Sequence, residues 1–191
     1  VADGSYRLEV SLSAIEDMAG NTGGESASTA WTIDRTPPAA PSAVRVLPDG
    51  GIASDDGLVS VPDLVLRGSL AEAGLVVTVQ DELSGEYLGE IAQAGTAFEL
   101  PLTFAGHGAQ RLRIRATDTA NNTSEARVFD LFIDRAPPVA RLGSVLPSPR
   151  TDPADRIEVF FSEPVNPATF DRTDLVLRRD GGANLVSGVV R

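Results

Sequence analysis

Apolar and polar residues alternate along much of the chain. In Gln110-Arg111-Leu112-Arg113-Ile114-Arg115-Ala116, the side chains of Leu112, Ile114 and Ala116 fall on one face of an extended segment and three arginines on the other. A period of two predicts a strand with one face buried and one in water. Tyr6, Leu8, Val10 and Leu12 alternate in the same way with Arg7, Glu9 and Ser11. Phe129, Leu131 and Ile133 predict the strand that follows, as Trp31 and Ile33 do in the earlier segment; Trp31, on an alternating strand, is expected in the core. Helical periodicity is almost absent. Between the strands of each pair stand Asp17-Met18-Ala19-Gly20-Asn21 and Asp118-Thr119-Ala120-Asn121-Asn122. Gly and Asn tolerate positive φ, and an Asp side chain bonds backbone N–H groups two residues on, so both segments predict hairpin connections.

The two turns reveal a repeat. Asp17 and Asp118 stand 101 positions apart, and the triplets Ile33-Asp34-Arg35 and Ile133-Asp134-Arg135 stand 100 apart, each followed by one residue and Pro-Pro. Proline cannot donate to a ladder and stiffens the exit from the strand. The frame divides the chain into the last third of one unit (1–36), a complete unit (37–138) and the start of another (139–191). The sequence is therefore expected to be a slice of a longer array. Within the complete unit, strands are predicted over residues 44–47, 64–70, 75–80, 87–91, 97–102, 111–116 and 127–133. Seven short strands in about one hundred residues predict an all-β fold of tandem immunoglobulin-like sandwiches. Short Pro-rich links would make such an array a semi-rigid rod.

Residues 49–138 resemble a bacterial Ig-like repeat of large surface adhesins and biofilm-associated proteins. The resemblance is carried by Ser54-Asp55-Asp56-Gly57, by Leu66-Arg67-Gly68-Ser69-Leu70-Ala71-Glu72-Ala73-Gly74, and by Val77-Thr78-Val79 with Leu88-Gly89 after it. The Asp118 turn, with Asn121 in place of the usual Gly, and the Ile133-Asp134-Arg135 exit complete it. From residue 139 the pattern changes. Arg156-Ile157-Glu158-Val159-Phe160-Phe161-Ser162-Glu163-Pro164 and Asp174-Leu175-Val176-Leu177 resemble a different bacterial Ig-like family, seen in surface-layer and secreted proteins.

Charge and composition narrow the function. A net charge of −11 opposes binding to nucleic acid or to an anionic membrane surface. No apolar run is long enough to span a bilayer. All 16 basic residues are Arg, which with the absence of Cys leaves neither a Lys–Asn isopeptide bond nor a disulfide to staple the units. The single histidine, His107, sits between Gly106 and Gly108 in a predicted loop, where nothing local supports a catalytic triad. Asp55 and Asp56 point to opposite faces if extended, so adjacency does not make them an acid–base pair. The segment is expected not to be an enzyme. The arginine stripe is expected to pair with acids on a neighbouring strand, and the glycosylation sequons at Asn121 and Asn122 are explained by the turn itself.

Calcium is the one ligand the pattern raises. Sandwich topology would place Glu72 and Asp118 at the end that faces the preceding unit, beside Asp34 at that unit's exit. Asp134 would leave near Asp55, Asp56, Asp81 and Glu82, facing Asp152 and Asp155 of the following unit. Ca²⁺ takes about six to eight oxygens, which carboxylates and turn carbonyls can supply; in the families resembled, metal at such joints stiffens the rod. The competing reading is that these aspartates cap backbone N–H groups without metal. The expected role is a structural stalk or spacer of an extracellular or cell-surface bacterial adhesin. Its partners would be neighbouring Ig-like units and, for the whole protein, a host or matrix surface. The alternatives are an accessory module of a secreted enzyme and a ligand-binding Ig-like module.

Overall fold

The computed structural model of the chain describes residues 1–51, 53, 56–154 and 156–189. The protein is all-β apart from one 3-10 turn, and it forms two compact units, Val1–Asp134 and Arg135–Arg191.

The first unit begins with an antiparallel hairpin, β1 (Gly4–Val10) and β2 (Ala27–Ile33), in which Tyr6 pairs with Trp31. Eight strands follow. A three-stranded antiparallel sheet has the order β3-β5-β8, from β3 (Ser42–Leu47), β5 (Asp63–Ser69) and β8 (Ala97–Thr103). A five-stranded sheet has the order β4-β10-β9-β6-β7, from β4 (Leu58–Val59), β6 (Val76–Asp81), β7 (Tyr87–Ala92), β9 (Gly108–Thr117) and β10 (Arg127–Ile133). Only the short β4–β10 pairing within that sheet is parallel.

Alternation decides which face each strand buries. Leu64 and Leu66 of β5 and Phe98, Leu100 and Leu102 of β8 turn inward to meet Val77 and Val79 of β6, Leu112, Ile114 and Ala116 of β9, and Leu131 and Ile133 of β10 in one apolar cluster. Each such side chain fully withdrawn from water contributes about 1.5–3 kcal/mol before entropy is counted. The two sheets are thus layers over one core. Gly68 makes room for it: a β-carbon there would stand 2.5 Å from the ring of Phe98, its cross-strand partner.

Eight strands rather than seven occupy the complete unit. The additional one is β4, two residues long, between the strands expected over residues 44–47 and 64–70. Trp31 also departs from expectation, at 48% exposed instead of buried. The β1–β2 hairpin is a two-stranded sheet of its own with no second sheet over it among the described residues, and the indole stacks on Tyr6 with ring centroids 5.8 Å apart.

The second unit holds one antiparallel pair, β11 (Ala140–Leu142) and β12 (Val159–Phe161), and a 3-10 turn, η1 (Arg172–Asp174), closed by a capping box from Asp171. Phe161 and Phe170 meet edge to face at 5.2 Å. None of this unit's described residues is buried.

Candidate functional site

The two Asp turns are built alike, bond for bond. Asp17 Oδ1 accepts from the backbone N–H of Ala19 (2.8 Å) and Asn21 (2.9 Å), while Oδ2 accepts from Asn21 Nδ2 (2.8 Å). Asp118 Oδ1 accepts from Ala120 (2.9 Å) and Asn122 (2.8 Å), and Oδ2 from Asn122 Nδ2 (2.9 Å). The αL position falls to Gly20 (φ 84°) in the first turn and Asn121 (φ 69°) in the second, residues that accept this geometry at little cost. In each turn the Asn side-chain amide is the main reason the Asp carboxyl is held below its usual range.

The second turn does one thing more. Asn122 Nδ2 also donates to the backbone carbonyl of Asp34, at 3.2 Å, where the first hairpin ends. Asp34 Oδ1 in turn caps the N–H of Thr36 (3.0 Å). Arg35 and Thr36 bind back to Asp3 through Arg35 Nε to Asp3 Oδ1 (3.0 Å) and Thr36 Oγ1 to Asp3 Oδ2 (3.0 Å). Beyond them Pro38 and Pro41 are buried. The link, exposed over residues 34–37, is held by the bonds to Asp3 and Asn122 on one side and by the buried prolines on the other.

Asp34, Glu72 and Asp118 line one open cleft of about 450 Å³, with Thr36, Pro37 and Pro38 on one wall and residues 71–74 on the other. Both Asp118 oxygens serve its own turn, and Asp34 Oδ1 serves Thr36. Among the described residues, no three His, Cys, Asp or Glu side chains stand close enough together to hold a metal ion.

The other end of the sandwich carries the remaining carboxylates. Asp134 donates its N–H to the Val59 carbonyl (2.8 Å), and its Oδ1 lies 3.7 Å from His107 Nδ1. Asp56 Oδ1 caps the N–H of Leu58 (2.9 Å). Asp55 and Asp155 lie outside the described residues. A cleft of about 400 Å³ opens here between Asp56, Leu58, Leu83, Arg111, Asp130 and Phe132. Two of the three arginines of the stripe have acidic partners: Arg111 and Arg113 both reach Glu82, just past the end of β6, at 3.2 and 3.1 Å, and Arg111 lies 3.7 Å from Asp130 on the neighbouring β10.

Asp81 differs from its expected place among the exposed loop acids. It is 4% exposed and inward-facing. Oδ1 accepts from the N–H of Leu83 (3.2 Å) and of Arg111 on β9 (3.1 Å), and Oδ2 from that of Ser84 (3.0 Å) and from its hydroxyl. Burial pushes its carboxyl upward, but these bonds outweigh it and hold the group below the usual range. The sequence does carry a signal for this. Asp81-Glu82-Leu83-Ser84-Gly85 has the spacing of a side-chain-capped turn closed by a left-handed glycine, and Gly85 has φ 75°. Ser124, behind the Asp118 turn, is the other buried polar residue that carries bonds here, one the sequence pattern does not mark; its hydroxyl accepts from Ala116 N–H (3.0 Å) and donates to the Glu125 carbonyl (2.8 Å).

No family model matches the chain. No curated protein matches it either. Among solved structures it is similar to the soluble domain of PmoD from Methylocystis sp. (Rockwell), with 12% identity over 48% of this chain and 89% of that one, at a TM-score of 0.35. It is also similar to the glycoside hydrolase domain of Endo-D from Streptococcus pneumoniae R6, with 16% identity over 55% of this chain and 16% of that one (TM-score 0.36). A third similarity is to the BSP domain of a biofilm-associated protein, with 18% identity over 72% of this chain and 20% of that one (TM-score 0.35). Likeness at this level assigns neither family nor activity.

Proposed function

We propose that this chain is a non-enzymatic spacer, a segment of tandem Ig-like sandwiches that holds other parts of a bacterial surface or secreted protein at a distance. The observation that carries the reading is the fastened link. The Asp118 turn grips the Asp34 carbonyl through Asn122, and Pro38 and Pro41 are buried just beyond it. A spacer needs joints that resist bending, and a ligand-binding module has no need to repeat the same turn and exit. The division at residues 36 and 138 belongs to this reading, as does the extracellular setting. The acidic surface suits a solvated exterior, and among the described residues no helix is long and apolar enough to cross a membrane.

Solution scattering tests it on proteins carrying one, two and three consecutive natural units. A spacer adds a constant increment to the maximum dimension with each unit. Growth with about the square root of the unit number marks flexible joints and overturns the reading.

A further inference from the structure

We infer that the cleft over β4, β10 and β9, beside the β6–β7 turn, is a docking site for an extended protein segment that presents a large apolar side chain flanked by Arg or Lys. The first observation is where the sandwich keeps its exposed apolar side chains. Of the four large ones exposed among the described residues 37–134, Leu58 (45%), Leu83 (62%) and Phe132 (41%) line this one cleft of about 400 Å³. Covering them recovers free energy that exposure withholds.

The hairpin does not require these groups. Gly4 pairs with Ile33 as Gly108 pairs with Ile133, so Phe132 and Asp130 stand at the register positions that Thr32 and Ala30 hold in β2. The same hairpin thus forms without a ring or a carboxylate there. The cleft is also closely built. A β-carbon at Gly57 would stand 2.6 Å from the Asp130 carbonyl oxygen, and Phe132 meets the His107 ring edge to face, with centroids 5.6 Å apart.

Charge at the rim selects the flanking residues. Arg111 is already shared, its Nε 3.2 Å from Glu82 and 3.7 Å from Asp130. At that distance Asp130, whose side chain is 76% exposed, keeps its hydrogen-bonding capacity for another donor. Asp56 Oδ1 caps the Leu58 N–H, and its Oδ2 accepts from no described residue. Two carboxylates with acceptors to spare therefore face one neutralised guanidinium, on a chain of net charge −11. Such a rim attracts cations and repels acidic peptides and a second copy of the same acidic chain. The aliphatic walls favour an apolar side chain over a sugar, whose hydroxyls would lose hydrogen bonds against Leu58 and Leu83.

The test titrates the isotope-labelled 191-residue chain with the peptide acetyl-Arg-Leu-Phe-Arg-amide and follows amide chemical shifts. The signals of Leu58, Leu83, Arg111 and Phe132 should move saturably. Acetyl-Glu-Leu-Phe-Glu-amide and acetyl-Arg-Gly-Gly-Arg-amide should each bind about tenfold more weakly, the first for want of charge and the second for want of the apolar anchor. Leu83→Ser changes an exposed side chain outside the core, so melting should stay unchanged while binding weakens about tenfold. Asp130→Asn should weaken binding several-fold and reduce its dependence on salt. The absence of saturable shifts overturns the inference, as does equal binding of the Gly-Gly peptide, which would mean charge alone. Binding that survives Leu83→Ser or Asp130→Asn at full strength overturns it too. Shifts at the same residues on raising the protein concentration alone would assign the cleft to a second copy, and shifts with diacetylchitobiose but not with the peptide would assign it to a glycan; either result overturns the inference. None of these outcomes bears on the spacer reading, which rests on residues at the other end of the sandwich.

Discussion

Asp81 and Asp118 cap turns at opposite ends of the same five-stranded sheet, with comparable sets of hydrogen bonds and unlike surroundings. Asp81 is buried, and one of its bonds crosses from the β6–β7 turn to Arg111 on β9. Asp118 keeps its bonds within its own turn and stays partly exposed; its partner Asn122 makes the outward contact. The contrast teaches a division of labour. One carboxylate ties the sandwich together, and the other shapes a turn so that a neighbouring amide can hold the link.

Replacing the buried carboxylate should have the largest effect. Asp81→Ala leaves the N–H groups of Leu83, Ser84 and Arg111 without their acceptor and is expected to lower the sandwich's stability by about 2–4 kcal/mol, measured by denaturant unfolding. Asp81→Asn, which keeps one acceptor oxygen, should cost less than half of that; an equal cost would mean that charge, not acceptor count, governs the turn. Acid reaches both turns at once. The Asp81 and Asp118 carboxyls are held below their ordinary value of 3.8. Their stabilisation is therefore complete above that value and is lost as pH falls through the lower folded values. An acid-unfolding profile should steepen only below about pH 4, and Asp81→Asn should flatten it more than Asp118→Asn does.

Asn122→Ala comes next. It removes the bonds to Asp118 and to the Asp34 carbonyl and should cost about 1 kcal/mol while broadening the scattering profile of the link. Stability loss with an unchanged profile would show that the buried prolines alone fix the joint. The smallest effect belongs to the first turn: Asp17→Ala should leave the main unfolding transition in place, because no residue of its hairpin is buried. Calcium sharpens the same contrast. With the Asp118 oxygens engaged, millimolar Ca²⁺ should raise the melting temperature no more than Mg²⁺ does, and a Ca²⁺-specific rise would place a cation at the joint.

The strands and turns that follow local rules were readable from sequence. Alternation in residues 110–116 gave the buried face of β9, and the Asp-x-Ala-x-Asn pattern gave both turns, including positive φ at Asn121. What escaped depended on distant partners. Trp31 alternates as a core residue, yet burial requires a second layer that no local pattern encodes. Two residues of β4 are too few to show a period, and their pairing with β10 is parallel and remote in sequence. Topology places Asp34, Glu72 and Asp118 at one end of the sandwich, where they line one cleft, but it could not say that Asp118's oxygens would turn back onto its own turn.

The short β4 strand has a mechanical consequence. It runs parallel to the end of β10, held by Phe132 N–H to the Gly57 carbonyl and Asp134 N–H to the Val59 carbonyl, each at 2.8 Å. On the spacer reading, tension along the chain would reach the sandwich at this strand end. Because the pairing is parallel and the bonds lie across the pull, they are loaded together in shear instead of unzipping in turn. A two-residue strand, anchored by the buried Val59, thus sits where it can set the force at which such a spacer begins to yield.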